Sequence, residues 1–539
     1  MLLCCLPMAN TLSKRHNLRL CMGGVLSLVR LALAAGPAPP AIDPGSVVNG
    51  ASRMPASLPG GAIARGGRFS LSGVRLGPQR GVKGNQVDPP VTLEGVSVHI
   101  AQGQTDIPAG ILFAGAERID GLVPRAAPLG TVRLTVVYLG RASEPYTLAL
   151  VDSSFGFFTS ETAPEALREA QRPLSAAPGE TVTLWGAGLG DARPEIFVGG
   201  KPAGLERRVA EESCCKGVDR VEFKIPTDAP QGCYVPVQAR AAERPSNVIA
   251  IAIHPVGQAC RDQLDWFHDG AARTGLVALA RISLVSQTSA IAGYRFDYAV
   301  AGFAKRQSGQ GTPFGPLPPL GSCTVVTRRV DLRQMLNGER VPGNLALDAG
   351  PSISIAGAAG LRVLGGANRR SDLYSALLGG EVPFGYAPRT PPYLQPGVFS
   401  LTSPGGRDIG PFTARVEAQR LIQWKNRDRL AEALRSAGVT VEWKEARRND
   451  AVLVAAASSD RVTGESALCV CLAYAKDRRF TIPPISLGNL PPTGDDAREH
   501  GFLVLAELPL EPPVRIQTRG LDAAFATFLS VNARAVRFR

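Results

Sequence analysis

Along much of this chain, apolar and polar residues alternate one by one. From Thr131 to Tyr138, Val132, Leu134, Val136 and Tyr138 fall on one face, with Thr131, Arg133 and Thr135 on the other. Val221, Phe223 and Ile225 alternate with Glu222 and Lys224, and Val439, Val441 and Trp443 alternate with Thr440 and Glu442. Val536 and Phe538 alternate with Arg537 and Arg539. A period of two with one apolar face is that of a half-buried antiparallel strand. Pro178-Gly179, Gly199-Gly200, Pro396-Gly397 and Gly405-Gly406 break the runs as turns. Helical signals are few. Thr162 is placed to cap a short helix ending near Gln171, and Leu430 and Leu434 predict a second over Asn426 to Ala437, stopped by Gly438. The pattern predicts an all-β chain with few short connecting helices.

Length divides this pattern into domains. At 539 residues the chain exceeds one core, and roughly three to five domains are expected. The 59 glycines and 44 prolines suit short strands joined by tight turns. The expected division is a signal peptide over 1–35, a Pro/Gly-rich linker over 36–59, and β domains over 60–151, 152–256, 257–416 and 417–539. Gln307 to Leu320 reads as a long loop in the third.

The first thirty-five residues predict export. Lys14, Arg15 and Arg19 form a basic region, Leu20 to Leu33 is an apolar run, and Ala32-Leu33-Ala34-Ala35 is a small-x-small cleavage site. The run is short for a membrane span, and no later segment is apolar enough to be one. The formal charge of +13 is scattered as single arginines rather than gathered on a stripe, which argues against nucleic acid as a partner.

Beyond the leader stand Cys214, Cys215, Cys233, Cys260, Cys323, Cys469 and Cys471. In an oxidising compartment they predict disulfides, with two bridges expected. Cys215 with Cys233, or Cys214 with Cys260, would staple the second domain, while Cys323 pairs with Cys260 or reaches the Cys469/Cys471 strand. Cys469 and Cys471 share a face and do not bridge each other. There is no Cys-x-x-Cys, so no metal is expected.

Two groups of residues carry a family resemblance. Ala41 to Ser52 (AIDPGSVVNGAS), Pro178 to Gly190 (PGETVTLWGAGLG) and Ile196 to Ala203 (IFVGGKPA) form the first, with the Cys214-Cys215 and Gly232-Cys233-Tyr234 patterns. Tyr393 to Phe399, Trp424 to Asn426, Gly438 to Trp443 and Gly520 to Thr527 form the second. In this order they resemble a group of secreted acidobacterial proteins with tandem Ig-like domains of TIG/IPT type. Gly77 to Pro90 departs from that pattern as an irregular loop. The resemblance implies tandem immunoglobulin-like β-sandwiches and export, and carries no catalytic residue.

The search for chemistry ends with few candidates. His-Glu-x-x-His, Gly-x-Ser-x-Gly, Walker and EF-hand motifs do not occur. Gly186-x-Gly188-x-Gly190 reads as a turn between strands, since Pro194 stands where a dinucleotide-binding helix would begin. His99, His254, His268 and His500 read as ordinary surface or edge residues. Trp443 reads as core. Trp185, on the face of Thr181 and Thr183, is the candidate ligand platform, because a ring face stacks on sugar C–H surface. No cofactor is expected. The expected function is a non-enzymatic binding or adhesion protein, extracellular or at the cell surface, with a glycan or protein partner. A structural spacer or matrix protein is the alternative. An extracellular hydrolase is the third reading, and its minimal sign would be two carboxylates facing each other in a cleft.

Overall fold

The computed structural model describes residues 38–169, 174–211, 213–264, 266, 271–285, 293–305, 317–328, 345–365, 373–381, 390–419, 421–460, 462–494, 501–511 and 513–539. The expected signal segment, His268, His500 and most of the Gln307 to Leu320 loop lie outside the described residues. The chain is all-β, built of Ig-like sandwiches in tandem.

The first sandwich has two six-stranded sheets. Alternation builds its core. Phe69 and Leu71 of Arg68–Val74 and Ile119 of Arg118–Leu122 face Val98 and Ile100 of Val96–Gln102 and Val132, Leu134 and Val136 of Gly130–Tyr138. Residues 39–59, expected as linker, belong to this body. Ala41–Ile42 and Val48–Asn49 pair with Arg68–Val74, and Val47, Ala51, Met54 and Leu58 are buried. Prolines and glycines break these apolar positions out of any period, so they carry no strand signal. Within Gly77 to Pro90, Val82–Lys83 adds an edge strand against Gly110–Ala114.

The second sandwich is one nine-stranded sheet folded over a core that includes Phe157, Leu184, Val221, Phe223 and Val237. Gly186 lies within the strand Thr181–Ala187, and Gly188 and Gly190 have φ of 91° and 59°. The triple-glycine stretch is therefore a turn between strands, as its sequence predicts.

The residues expected as third and fourth domains share one 15-stranded sheet, and no sheet boundary falls at Val416. The sheet has two cores. Ala523–Phe538, 16 residues long, feeds both: Ala524 and Ala526 enter one, Val536 and Phe538 the other. It runs parallel to Arg273–Val285 and antiparallel to Gly501–Leu508. Its opposite face near Phe525 packs on Trp266, with ring centroids 6.4 Å apart. Arg281 and Asp297, both buried, pair through two hydrogen bonds of 2.7 and 2.9 Å, and Asp297 also accepts the Leu394 N–H. Trp443 is fully buried, as expected.

Both expected helices are replaced. Thr162 accepts the Thr159 N–H through its hydroxyl, and only a 3-10 turn forms, over Glu165–Leu167. Asn426 to Ala437 holds one 3-10 turn, Arg427–Arg429, and then Glu432–Ala433 pairs in parallel with Arg537–Phe538. Leu434, whose spacing from Leu430 suggested a helical face, is exposed. Tertiary pairing overrides local propensity there. No helix among the described residues is long and apolar enough to cross a membrane.

Phe538→Ala removes a fully buried ring from the end of the shared strand. It should destabilise the protein by about 3–5 kcal/mol, read as a lowered midpoint in thermal or denaturant unfolding.

Candidate functional site

The junction of the first two sandwiches is built around one turn. After the strand Lys201–Glu211 the chain turns through Ser213 to Gly217 and returns as Val218–Lys224. Arg68, at the start of its strand, donates from Nε to the Lys216 carbonyl at 2.8 Å and from Nη1 to Gln86 Oε1 at 3.1 Å. The Lys216 N–H donates to the Gln86 carbonyl at 2.8 Å. Gly217, with φ of 74°, lies so close to the first sandwich that a Cβ would stand 2.4 Å from Leu122 Cδ1. From the other side Asn49, buried, donates to the Ser154 carbonyl at 3.0 Å and accepts the Ala51 N–H at 2.8 Å. The two sandwiches are thus fastened by buried hydrogen bonds.

Cys214 and Cys215 bridge each other inside this turn. The other bridges join Cys233 to Cys260 and Cys323 to Cys471. Among the described residues there are three bridges where two were expected, and the pairings Cys215–Cys233 and Cys214–Cys260 are overturned. The reason is local: both cysteines sit in a turn, where neighbouring Sγ atoms meet. Cys233 instead starts a strand beside the Cys260 segment, where Asp262 accepts its N–H at 2.8 Å. Cys323 reaches the Cys469/Cys471 strand, one of the two routes left open. Cys469 is the free thiol among the described residues, 3.8 Å from Cys471 Sγ, and burial pushes it up to about 12. The three sulfurs of Cys323, Cys469 and Cys471 lie close enough together to suggest a metal, but two of them are bridged.

The turn separates two clefts. One, of about 360 Å³, is walled by the Cys214–Cys215 bridge, Arg68, Phe113 and the segment from Glu161 to Arg168. Phe113, Pro164 and Cys214 are half-buried apolar groups in it. The Arg118 guanidinium lies over the Phe113 ring, 4.6 Å from its centroid. Lys83 and Glu165 pair at 2.7 Å, which lowers the Glu165 carboxyl. Arg68 is 7% exposed, and its burial pulls it down to about 10 despite Asp120 nearby. Its Nη2 has no protein acceptor. Trp185 lies in the cluster behind this wall, half-buried against Cys215, Phe158 and Leu167. Trp185, the ligand platform expected from sequence, does not line the cleft, and the cleft's own ring, Phe113, carries no signal that sets it apart.

The second cleft, about 410 Å³, holds Asp219 with Arg65, Arg125 and Lys216. Burial raises Asp219 to about 6, against the pull of the Leu189 N–H at 2.9 Å and of Arg208 and Arg125.

A third region lies where the two cores of the large sheet meet. Cavities of about 500 and 370 Å³ there share Gln419, Glu445 and Ser530. Asp450 and Glu507 stand in it as two facing carboxyls, the sign set for hydrolysis, and burial raises both. Each carboxyl acts on the other, and the Arg447 N–H donates to Glu507 Oε1 at 2.7 Å.

The histidines are scattered. His99 meets Asp106 at 3.3 Å and Ser97 at 3.2 Å. His254 meets the Ser175 hydroxyl at 2.5 Å, but its other nitrogen faces the Pro255 carbonyl rather than a carboxylate, and Ser175 is exposed.

No family model and no curated protein matches the chain by sequence. Among solved structures it is similar to SGBP-B of the mixed-linkage glucan utilization locus of Bacteroides ovatus, in complex with a mixed-linkage heptasaccharide. That likeness is at 11% identity over 79% of this chain and 82% of that one, with a TM-score of 0.14. It is similar to SGBP-B from a complex xyloglucan utilization locus of Bacteroides uniformis, at 13% over 63% and 86%, TM-score 0.17. Titin Ig tandem domains A164-A165 match at 11% over 36% and 92%, TM-score 0.13. At such scores these likenesses carry no functional argument, and the site's own geometry must.

Alkylation of the native protein should label none of the seven cysteines from 214 to 471. Unfolding without reductant should expose one, Cys469, and reduction all seven, read by mass. Asp219, raised by burial, stabilises the fold below its ordinary value of 3.8, and that stability is lost as pH climbs through about 6. Asp219→Asn should remove on the order of 3 kcal/mol of that pH slope, seen by comparing denaturation of the two proteins across pH 3 to 7.

Proposed function

We propose that the chain is an exported, non-enzymatic binding protein that works outside the cell or on its surface, and that it holds a glycan in the cleft beside the Cys214–Cys215 turn. The observation that carries this reading is the cleft's double character. Half-buried apolar groups, Phe113, Pro164 and Cys214, share one wall system with the exposed guanidinium donors of Arg53, Arg118 and Arg168. A sugar presents that same combination: apolar C–H faces on its ring and hydroxyls around the edge. The cleft lies between sandwiches that buried hydrogen bonds fasten together, so little ordering is needed on binding. Three disulfides support an oxidising destination, as does the basic-then-apolar leader.

Purified protein lacking residues 1–35 should bind members of a glycan array, with micromolar affinity by calorimetry. Phe113→Ala should weaken that binding about fivefold or more while leaving the unfolding midpoint nearly unchanged. A protein that captures no glycan would be a spacer.

A further inference from the structure

We infer that the glycan held beside the Cys214–Cys215 turn is anionic, carrying carboxylate or sulfate groups; this rests on the binding reading above. The charges of the cleft wall do not cancel. Its cations are Arg53, Arg68, Lys83, Arg118 and Arg168, and its anions Asp120, Glu161 and Glu165. Lys83 is taken by Glu165 at 2.7 Å and Arg118 by Asp120 at 3.4 Å. Asp120 is further engaged by the Ser70 hydroxyl at 2.7 Å. Arg68 also feels Asp120 and Arg168 also feels Glu165, so five cations share three anions.

Arg68 is the telling member. A guanidinium has five N–H donors, and burying it is costly unless they are met by acceptors. Here Nε and Nη1 are engaged, while Nη2 has no protein acceptor and the side chain is more than nine-tenths buried. Burial already pulls its proton affinity down to about 10. Nη2 itself has no accessible surface, so an anion in the cleft answers Arg68 through its charge rather than by a bond to Nη2, and makes its direct charge-assisted bonds with the exposed Arg53 and Arg168. Neutral sugars would leave this excess of positive charge unanswered.

Calorimetry with four probes tests the inference: tetragalacturonate for carboxylate, a heparin-derived tetrasaccharide for sulfate, and maltotetraose and cellotetraose as neutral chains. At least one anionic probe should bind about tenfold tighter than both neutral ones, and 0.5 M salt should weaken it. Arg53→Gln and Arg168→Gln, both at exposed positions, should each cost about fivefold in affinity for that probe. Equal or tighter binding of the neutral chains overturns the inference and leaves the glycan reading standing. Anionic binding unchanged in a double Arg53→Gln, Arg168→Gln variant moves the site elsewhere and overturns it too. A protein that binds neither these probes nor any array glycan loses both readings.

Discussion

The parallel pairing of Ala523–Phe538 with Arg273–Val285 is the constraint on which the larger half of this protein depends. Twelve successive residue pairs hold it, from Thr274 with Ala523 to Val285 with Arg534. Where it begins, the Asp522 carboxylate accepts the N–H groups of Ala272 and Arg273, partners 250 and 249 residues away. Alternating side chains then serve different cores from one backbone. Ala524 and Ala526 face one, Phe525 the packing around Trp266, Val536 and Phe538 a third region. Such a strand cannot be lost locally. The paired residues lie 249 positions apart, so their loop-closure cost is met only when both cores form together, and this half is expected to fold as a unit.

The junction of the first two sandwiches works by a different principle. There the fastening is polar and buried: Arg68 on a carbonyl and an amide, Asn49 bridging strands of both sandwiches. Removing one partner of such a network leaves another group unmet in low dielectric, so its members depend on one another more than on any single bond. An ionised arginine out of water answers strongly to charge brought near it. In the proposed binding, structural fastening and recognition draw on one side chain.

Alternation made the fold legible. Gly130–Tyr138 and Val439–Lys444 stand as strands with their apolar faces inward, and Trp443 is core, because period-two burial is written locally. The residues from 39 to 59 were not legible, since their burial comes from pairing with a strand further along and their own prolines hide it. Leu430 and Leu434 misled for the opposite reason: their helical spacing is real, but the backbone between them found a better partner at Arg537. The cleft was legible only in pieces. The cysteines and Trp185 drew notice by their residue types, whereas Arg68, Phe113 and Gln86 look like ordinary strand and loop residues until folding brings them to one turn. No spacing rule announces a bridge between adjacent cysteines.

The thiol of Cys469 has a consequence for maturation. Cys323 lies opposite Cys471, and Cys469 lies opposite Val325, on the same side of the same strand. Sliding the two strands past each other by two residues would bring Cys323 to Cys469 without turning a single side chain from the core to the outside. The mispaired ladder would be sealed covalently and hidden from solvent, a trap that hydrophobic patterning alone does not forbid. Escape is built in beside it, since the displaced sulfur remains adjacent and thiol–disulfide exchange can pass the bond back. Isomerisation between these neighbours, before the core closes over them, would return such a molecule to the native alignment.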